Sequence, residues 1–239
     1  MRVLERLKIK LFQDGADLEE MKRGRATGLV KGFTTNPTLM RKAGVKDYEA
    51  FARAALTAIP DLPISFEVFA DEFGEMEREA RAIMSWGRNV YVKIPISNTK
   101  GESSVPLIRK LSREGFSLNI TAMMTLAQVR DVSKAIDPNA RTIVSVFAGR
   151  IADTGVDPVP IMSEAVRVLA RNPNAELLWA SPRELLNFFQ AEQCGCHIIT
   201  GTPDLINKLP LVGKDLDAYS VDTVRMFYDD ARSAGYRIR

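Results

Sequence analysis

Lys93 stands inside the run Val90, Tyr91, Val92, Ile94 and Pro95, whose other members are apolar. Such a run reads as a strand hidden from water on both faces. An ammonium group there calls for a chemical reason. A lysine taken out of water loses preference for its charged form. The neutral amine is a nucleophile that can attack a ketone or aldehyde and form a Schiff base. The iminium withdraws electrons and makes the adjacent carbon–carbon bond breakable. This chemistry needs no metal or other cofactor, but it needs proton donors and acceptors. Asp14 and Glu67 are available for that work, and Thr121 can relay a proton through water. Asn36, Asn119 and Ser145 can hold substrate hydroxyls, and Arg150 and Arg183 can grip a phosphate bidentately.

These residues fall at recurring places. Eight short β-rich runs are expected: 8–13, 28–34, 63–69, 89–95, 117–123, 142–148, 175–181 and 196–202. Between them lie stretches such as 47–59, 72–87, 104–115 and 159–172, where apolar residues recur at three- and four-residue steps, the mark of helices with one buried face. Alternating strands and helices imply parallel βαβ units. Eight such units in 239 residues point to an α/β fold of the closed (β/α)8 TIM-barrel kind. A doubly wound open sheet is the alternative, but no G-x-G-x-x-G turn follows the first strand.

Strands covered on both faces should be apolar nearly throughout. Here seven consecutive runs carry a polar group late: Asp14; Thr34, Thr35 and Asn36; Glu67; Lys93; Asn119 and Thr121; Ser145 followed by Arg150; and Ser181 followed by Arg183. Barrel enzymes build their sites at that end of the strands. Singly, each residue has a plainer reading. Thr and Ser suit strands, Asn36 before Pro37 can open a turn, and Glu67 with Lys93 can form a buried ion pair, a weak stabiliser. Their joint position favours a site.

The rest of the chain sets limits. The net charge of +3 is spread among interleaved acids and bases, which suits small anions and argues against nucleic acid. Cys194 and Cys196 read as reduced cytoplasmic thiols, since two thiols make no zinc site. The only histidine, His197, reads as structural. The opening residues "MRVLERLKIKLF" do not read as a signal peptide, lacking a long apolar core and a small-residue cleavage site, and no window approaches the ~18 apolar residues of a membrane helix. The whole chain, 1–239, reads as a single domain with a C-terminal helix at about 217–234, whose apolar side includes Val221, Val224, Phe227 and Tyr228. Periodicity alone leaves open whether that helix lies on its own barrel or on a neighbouring subunit.

Five segments, "GFTTNPTLM" (32–40), "YVKIP" (91–95), "LNITA" (118–122), "SVFAGRI" (145–151) and "WASPREL" (179–185), resemble in order and spacing the signature segments of transaldolases and their short relatives, the fructose-6-phosphate aldolases. The resemblance runs from about Phe12 to Leu209 and implies a class I aldolase barrel. It implies Lys93 as the Schiff-base lysine and Asp14 as the acid/base for the aldol proton. Glu67 and Thr121 would position a catalytic water. Thr34, Asn36, Asn119, Ser145 and Phe147 would line the substrate pocket, with Arg150, Ser181 and Arg183 on the phosphate. Pro182 stands where the family usually carries an aromatic residue. The short aldolases typically carry Gln and Tyr where this chain has Glu67 and Phe147, whereas transaldolases carry Glu and Phe. The implied activity is therefore transfer of a dihydroxyacetone unit between sugar phosphates in the pentose phosphate pathway. The alternatives are release of free dihydroxyacetone, a transaldolase specialised for a biosynthetic sugar, or a non-catalytic sugar-phosphate-binding barrel. The resemblance also implies a homo-oligomer, a pentamer or decamer with exchanged C-terminal helices.

Overall fold

The computed structural model describes residues 8–238. Eight parallel strands, β1 (Lys10–Asp14), β2 (Val30–Thr34), β3 (Ile64–Glu67), β4 (Val90–Pro95), β5 (Leu118–Met123), β6 (Thr142–Val146), β7 (Ala175–Trp179) and β8 (Ile198–Gly201), close into a barrel in chain order. Helices follow: α1 (Leu18–Ala26), α2 (Pro37–Lys42), α3 (Tyr48–Ala58), α4 (Phe73–Met84), α5 (Val105–Arg113), α6 (Leu126–Ala135), α7 (Ala148–Asp153), α8 (Val159–Leu169), α9 (Leu186–Gln193) and α10 (Pro203–Ile206). All eight expected strands are present, several ending a little early. The third stops at Glu67 and the sixth at Val146, because the chain turns out of the sheet there; Phe147 already caps α7.

Helix starts are set by short polar side chains. Asp17, Asn36 and Asp47 accept the backbone N–H three residues on, and Thr125 with Gln128 forms a reciprocal capping box. The amphipathic helices bury one face against the barrel, as α5 does with Leu107, Ile108 and Leu111. Within each strand alternate residues share a face. One face of the strands packs a cluster of Phe12, Tyr91, Ile143, Leu178, Ala180 and Ile198, with Phe147 against it. Phe12 reaches this position because residue 32 is glycine: a Cβ there would lie 2.5 Å from the Phe12 ring.

Residues Lys8–Ile206 form one compact unit and the described residues from Asn207 onward another. The second holds the 3-10 turn Leu209–Leu211 and α11 (Leu216–Ser233), which Asp215 caps and whose side chains are not buried. Among the described residues no helix is long and apolar enough to cross a membrane. Cys194 and Cys196 are free thiols with sulfurs 3.6 Å apart. His197 accepts the Leu177 N–H on Nδ1 at 3.0 Å. Burial pushes its pKa down, which keeps the ring neutral and able to accept.

Candidate active site

The strand register assembles the site. Glu67 on β3 lies opposite Lys93 on β4, which lies opposite Asn119 on β5. Adjacent strands are about 4.8 Å apart, so these side chains stand side by side. Asp14 and Thr34 are opposed in the same way across β1 and β2. A cavity of about 520 Å³ results, and all twelve residues expected at the site line it. Its volume lies within the usual range for small-ligand pockets.

Lys93 is buried at 6% exposure. Its Nζ lies 2.9 Å from Glu67 Oε2 and donates to the Thr35 carbonyl at 2.9 Å. The ion pair that the sequence offers as the plainer alternative to a site is therefore present, and it sits in the cavity. Asp14 is held on its other side: Thr34 donates to Oδ1 at 2.8 Å and Asn36 to Oδ2 at 3.4 Å. Burial pushes the Asp14 carboxyl above the usual carboxylate range. The Lys93 charge and the hydrogen bonds from Thr34 and Asn36 pull it partly back, against the Glu67 carboxylate. A carboxyl raised in this way can accept a proton and return it.

Other polar groups serve the scaffold as well as the cavity. Asn36 Oδ1 accepts the Leu39 N–H at 3.0 Å, so the residue also starts α2. Asn119 donates to Ser65 Oγ at 2.9 Å and accepts from Ser145 Oγ at 2.7 Å. These bonds fix its amide orientation. The Thr121 hydroxyl is buried and has no partner among the described residues. A polar atom left so in a cavity is poised for a ligand or water.

The cavity mouth is cationic. Arg150 lies with its guanidinium 5.8 Å from the centre of the Phe147 ring. Arg183 is gripped by Asp153 through Nε at 2.9 Å and through Nη2, a pairing that sequence does not announce. Among the described residues two that are not glycine have left-handed backbone, Ala122 (φ 62°) and Ser181 (φ 58°), and both line the cavity. Strain of this kind tends to collect at functional sites. Gly149 is what lets the Ser181 turn sit there, since a Cβ at 149 would meet the Ser181 carbonyl oxygen at 1.6 Å.

The cavity also contains residues beyond the expected set. Thr200 on β8 shares a 2.6 Å hydrogen bond with Thr34, and Lys42 at the end of α2 adds a cation to Lys93, Arg150 and Arg183. Thr200 is open to the rule that found the others, a polar residue late in an apolar strand. Lys42 carries no such signal, being one of many helix-surface lysines.

The profile of the transaldolase/fructose-6-phosphate aldolase family matches residues 11–237. The chain belongs to this family. A "Probable transaldolase 2" of Listeria monocytogenes is 34% identical over 218 residues, covering 90% of this chain and 95% of its own. A "Probable transaldolase" of Dehalococcoides mccartyi is 34% identical over 193 residues, 80% of this chain and 86% of that one. A third, from Methanococcus maripaludis, is 33% identical over 90% and 97%. The chain is accordingly a transaldolase-type enzyme. Among solved structures, dihydrodipicolinate synthase from Rhodopseudomonas palustris superposes with a TM-score of 0.58 at 14% identity, covering 93% of this chain and 79% of that one. A 3-hexulose-6-phosphate synthase superposes with 0.56 at 12%, covering 82% and 89%. These two likenesses concern the barrel fold alone.

Proposed function

We propose that this member of the transaldolase/fructose-6-phosphate aldolase family transfers a dihydroxyacetone unit through a Schiff base on Lys93. The donor is fructose 6-phosphate or sedoheptulose 7-phosphate. The acceptor is erythrose 4-phosphate or glyceraldehyde 3-phosphate, as in the pentose phosphate pathway. One observation carries the choice of transfer over release. Lys93 is paired with Glu67, and Phe147 lines the same cavity with no tyrosine or histidine among the described lining residues.

In this reading Lys93 passes a proton to Glu67 and adds to the ketose carbonyl carbon. Glu67 returns the proton as the carbinolamine loses water, which leaves the iminium. Asp14 accepts the proton of the C4 hydroxyl as the C3–C4 bond breaks and its electrons enter the iminium. The aldehyde product departs and an enamine remains. Attack of the enamine on the acceptor aldehyde forms the new bond, and Asp14 protonates the resulting alkoxide. Water then adds to the iminium, with Thr121 and Glu67 orienting it, and the new ketose leaves Lys93. Asn36, Asn119 and Ser145 hold substrate hydroxyls beside Thr34, and Arg150, Ser181 and Arg183 take the phosphate. Release of free dihydroxyacetone would require protonation of the enamine carbon, and the Phe147 ring has no proton to give.

The test is glyceraldehyde 3-phosphate release from fructose 6-phosphate, with and without erythrose 4-phosphate. Release that depends on the acceptor is expected, and equal release without it refutes transfer. Borohydride reduction in the presence of fructose 6-phosphate should add the three-carbon unit at Lys93 by peptide mass spectrometry. Phe147→Tyr should raise acceptor-free cleavage.

The unburied Val221, Val224, Phe227 and Tyr228 of α11 support a homo-oligomer, for which the family resemblance implies a pentamer or decamer. Light scattering coupled to size-exclusion chromatography tests this, and a monomer at micromolar concentration refutes it.

A further inference from the structure

We propose that the cavity at the opposite end of the barrel, where the strands begin, binds a small polyanion that carries phosphate or pyrophosphate groups. This cavity has a volume of about 630 Å³ and is formed by the starts of the strands together with the loop Pro60–Pro63. That size suits a small metabolite. It is separate from the active site. Phe12, Tyr91 and Ile143 form its floor, while Leu178, Ala180 and Phe147 line the upper cavity, and all six pack in one cluster between the two.

The charges are unbalanced in favour of an anion. Lys10, Lys31, Arg88 and Arg141 line the cavity against two carboxylates, Asp61 and Glu176. Both carboxylates are already engaged, Glu176 with Lys10 at 2.7 Å and Asp61 with Arg25 at 2.8 Å. Among the described residues no carboxylate pairs with Lys31, Arg88 or Arg141. Among the described residues Lys31 donates only to the Gly28 carbonyl, at 2.7 Å. Arg141 instead stacks over the ring of the buried Tyr91 at 5.7 Å. That cation–π contact uses none of the guanidinium N–H donors in a hydrogen bond.

The Tyr91 hydroxyl adds a donor with no partner among the described residues. Burial pushes its pKa up, with Arg141 pulling the other way, so at neutral pH the O–H is available to donate. Like charges gathered in one concavity repel each other and weaken the fold, while the concave walls focus their field on an incoming anion. The starts of barrel strands ordinarily serve stability, and an unpaired cationic cluster does not. Several guanidinium and ammonium donors converging on one space match the oxygens of phosphate groups. Pro60, Leu62 and Pro63 give an apolar wall against which the rest of such a molecule can lie.

The probe is inorganic tripolyphosphate, titrated calorimetrically into the full chain at low salt. The comparison set is Arg88→Ala, Arg141→Ala and, to remove the two arginines of the upper cavity, the double variant Arg150→Ala/Arg183→Ala. Saturable binding is expected in the wild type and in the double variant, weakened at least tenfold by Arg88→Ala and by Arg141→Ala. Arg88 is exposed, so Arg88→Ala keeps the test valid if Arg141→Ala, which loses a ring contact, fails to fold. Sugar-phosphate turnover should be unchanged in Arg88→Ala. Absence of saturable binding, affinity unaltered by Arg88→Ala, or binding lost in the double variant while Arg88→Ala retains it would each overturn the proposal.

Discussion

Gly149→Ala adds one methyl group at a point where the barrel top has no space for it. The new Cβ would lie 1.6 Å from the Ser181 carbonyl oxygen and 2.7 Å from its carbonyl carbon. Side-chain carbons essentially never approach closer than 3.0 Å, so the backbone at Ser181 or at α7 must move by about 1.4 Å. Neither end yields easily. Ser181 is already held at φ 58°, and the Gly149 N–H donates to the Ala180 carbonyl at 3.3 Å. Overpacking of this kind costs about 1–3 kcal/mol, which in a protein of this size lowers Tm by roughly 2–12 °C. The functional cost is larger. Ser181 and Arg183 line the cavity mouth, and a displacement of about 1 Å in positioning groups costs roughly 100-fold. Steady-state kinetics should therefore show kcat/KM for fructose 6-phosphate falling about 100-fold, mostly through KM, with a smaller loss for unphosphorylated fructose. A variant with wild-type Tm and KM would show that the turn after β7 moves freely and that Gly149 does not hold the phosphate end of the site. An equal loss for both donors would refute the assignment of Ser181 and Arg183 to phosphate.

Thr121→Val replaces a buried hydroxyl that has no partner with a methyl group. Stability should hold or rise by about 1 kcal/mol, measured by urea denaturation, while turnover falls roughly 100-fold, the low end of what positioned proton transfer contributes. Asp14→Asn should abolish turnover yet raise Tm at neutral pH. The folded-state pKa of Asp14 lies above the ordinary value, so its titration favours folding fully below about pH 3.9 and progressively less as pH rises through the folded pKa. The advantage of the variant should accordingly grow from acid toward neutral pH in thermal melts, and an advantage that is constant with pH would refute the cause assigned here. Asp153 grips Arg183 through Nε and Nη2, leaving the other edge of the guanidinium for phosphate. Asp153→Asn should raise KM for phosphorylated donors about two- to fivefold, the scale of an exposed ion pair, with kcat unchanged; a lower KM would mean that Asp153 competes with phosphate.

The barrel is readable in the sequence because its local signals agree. Eight apolar runs alternate with helical periods, and short polar residues stand where helices start. The candidate site is readable for a related reason. In strands covered on both faces, a late polar residue stands out, and the topology brings every such strand end to one place. That reasoning reached Asp14, Glu67, Lys93 and Thr121 without a structure. It passed over Thr200, which obeys the same rule, and Lys42, which looks like any exposed helix lysine.

Which polar group touches which was decided only by the tertiary structure. The Lys93–Glu67 ion pair, one of the readings the sequence left open, depends on the register between β3 and β4, and that register is set by packing between segments rather than by either segment alone. The Arg183–Asp153 grip and the close approach of Gly149 to Ser181 join positions about 30 residues apart. Asn36 is assigned by sequence either to a turn or to a substrate, whereas its folded amide caps α2 with one atom and faces Asp14 with another. The cationic cavity at the strand starts has no local signature at all. Lys10, Lys31, Arg88 and Arg141 are scattered over 131 positions, and only closure of the barrel turns them into neighbours. Periodicity along a chain records which face of an element is buried, and contacts between side chains depend on the three-dimensional path that joins the elements.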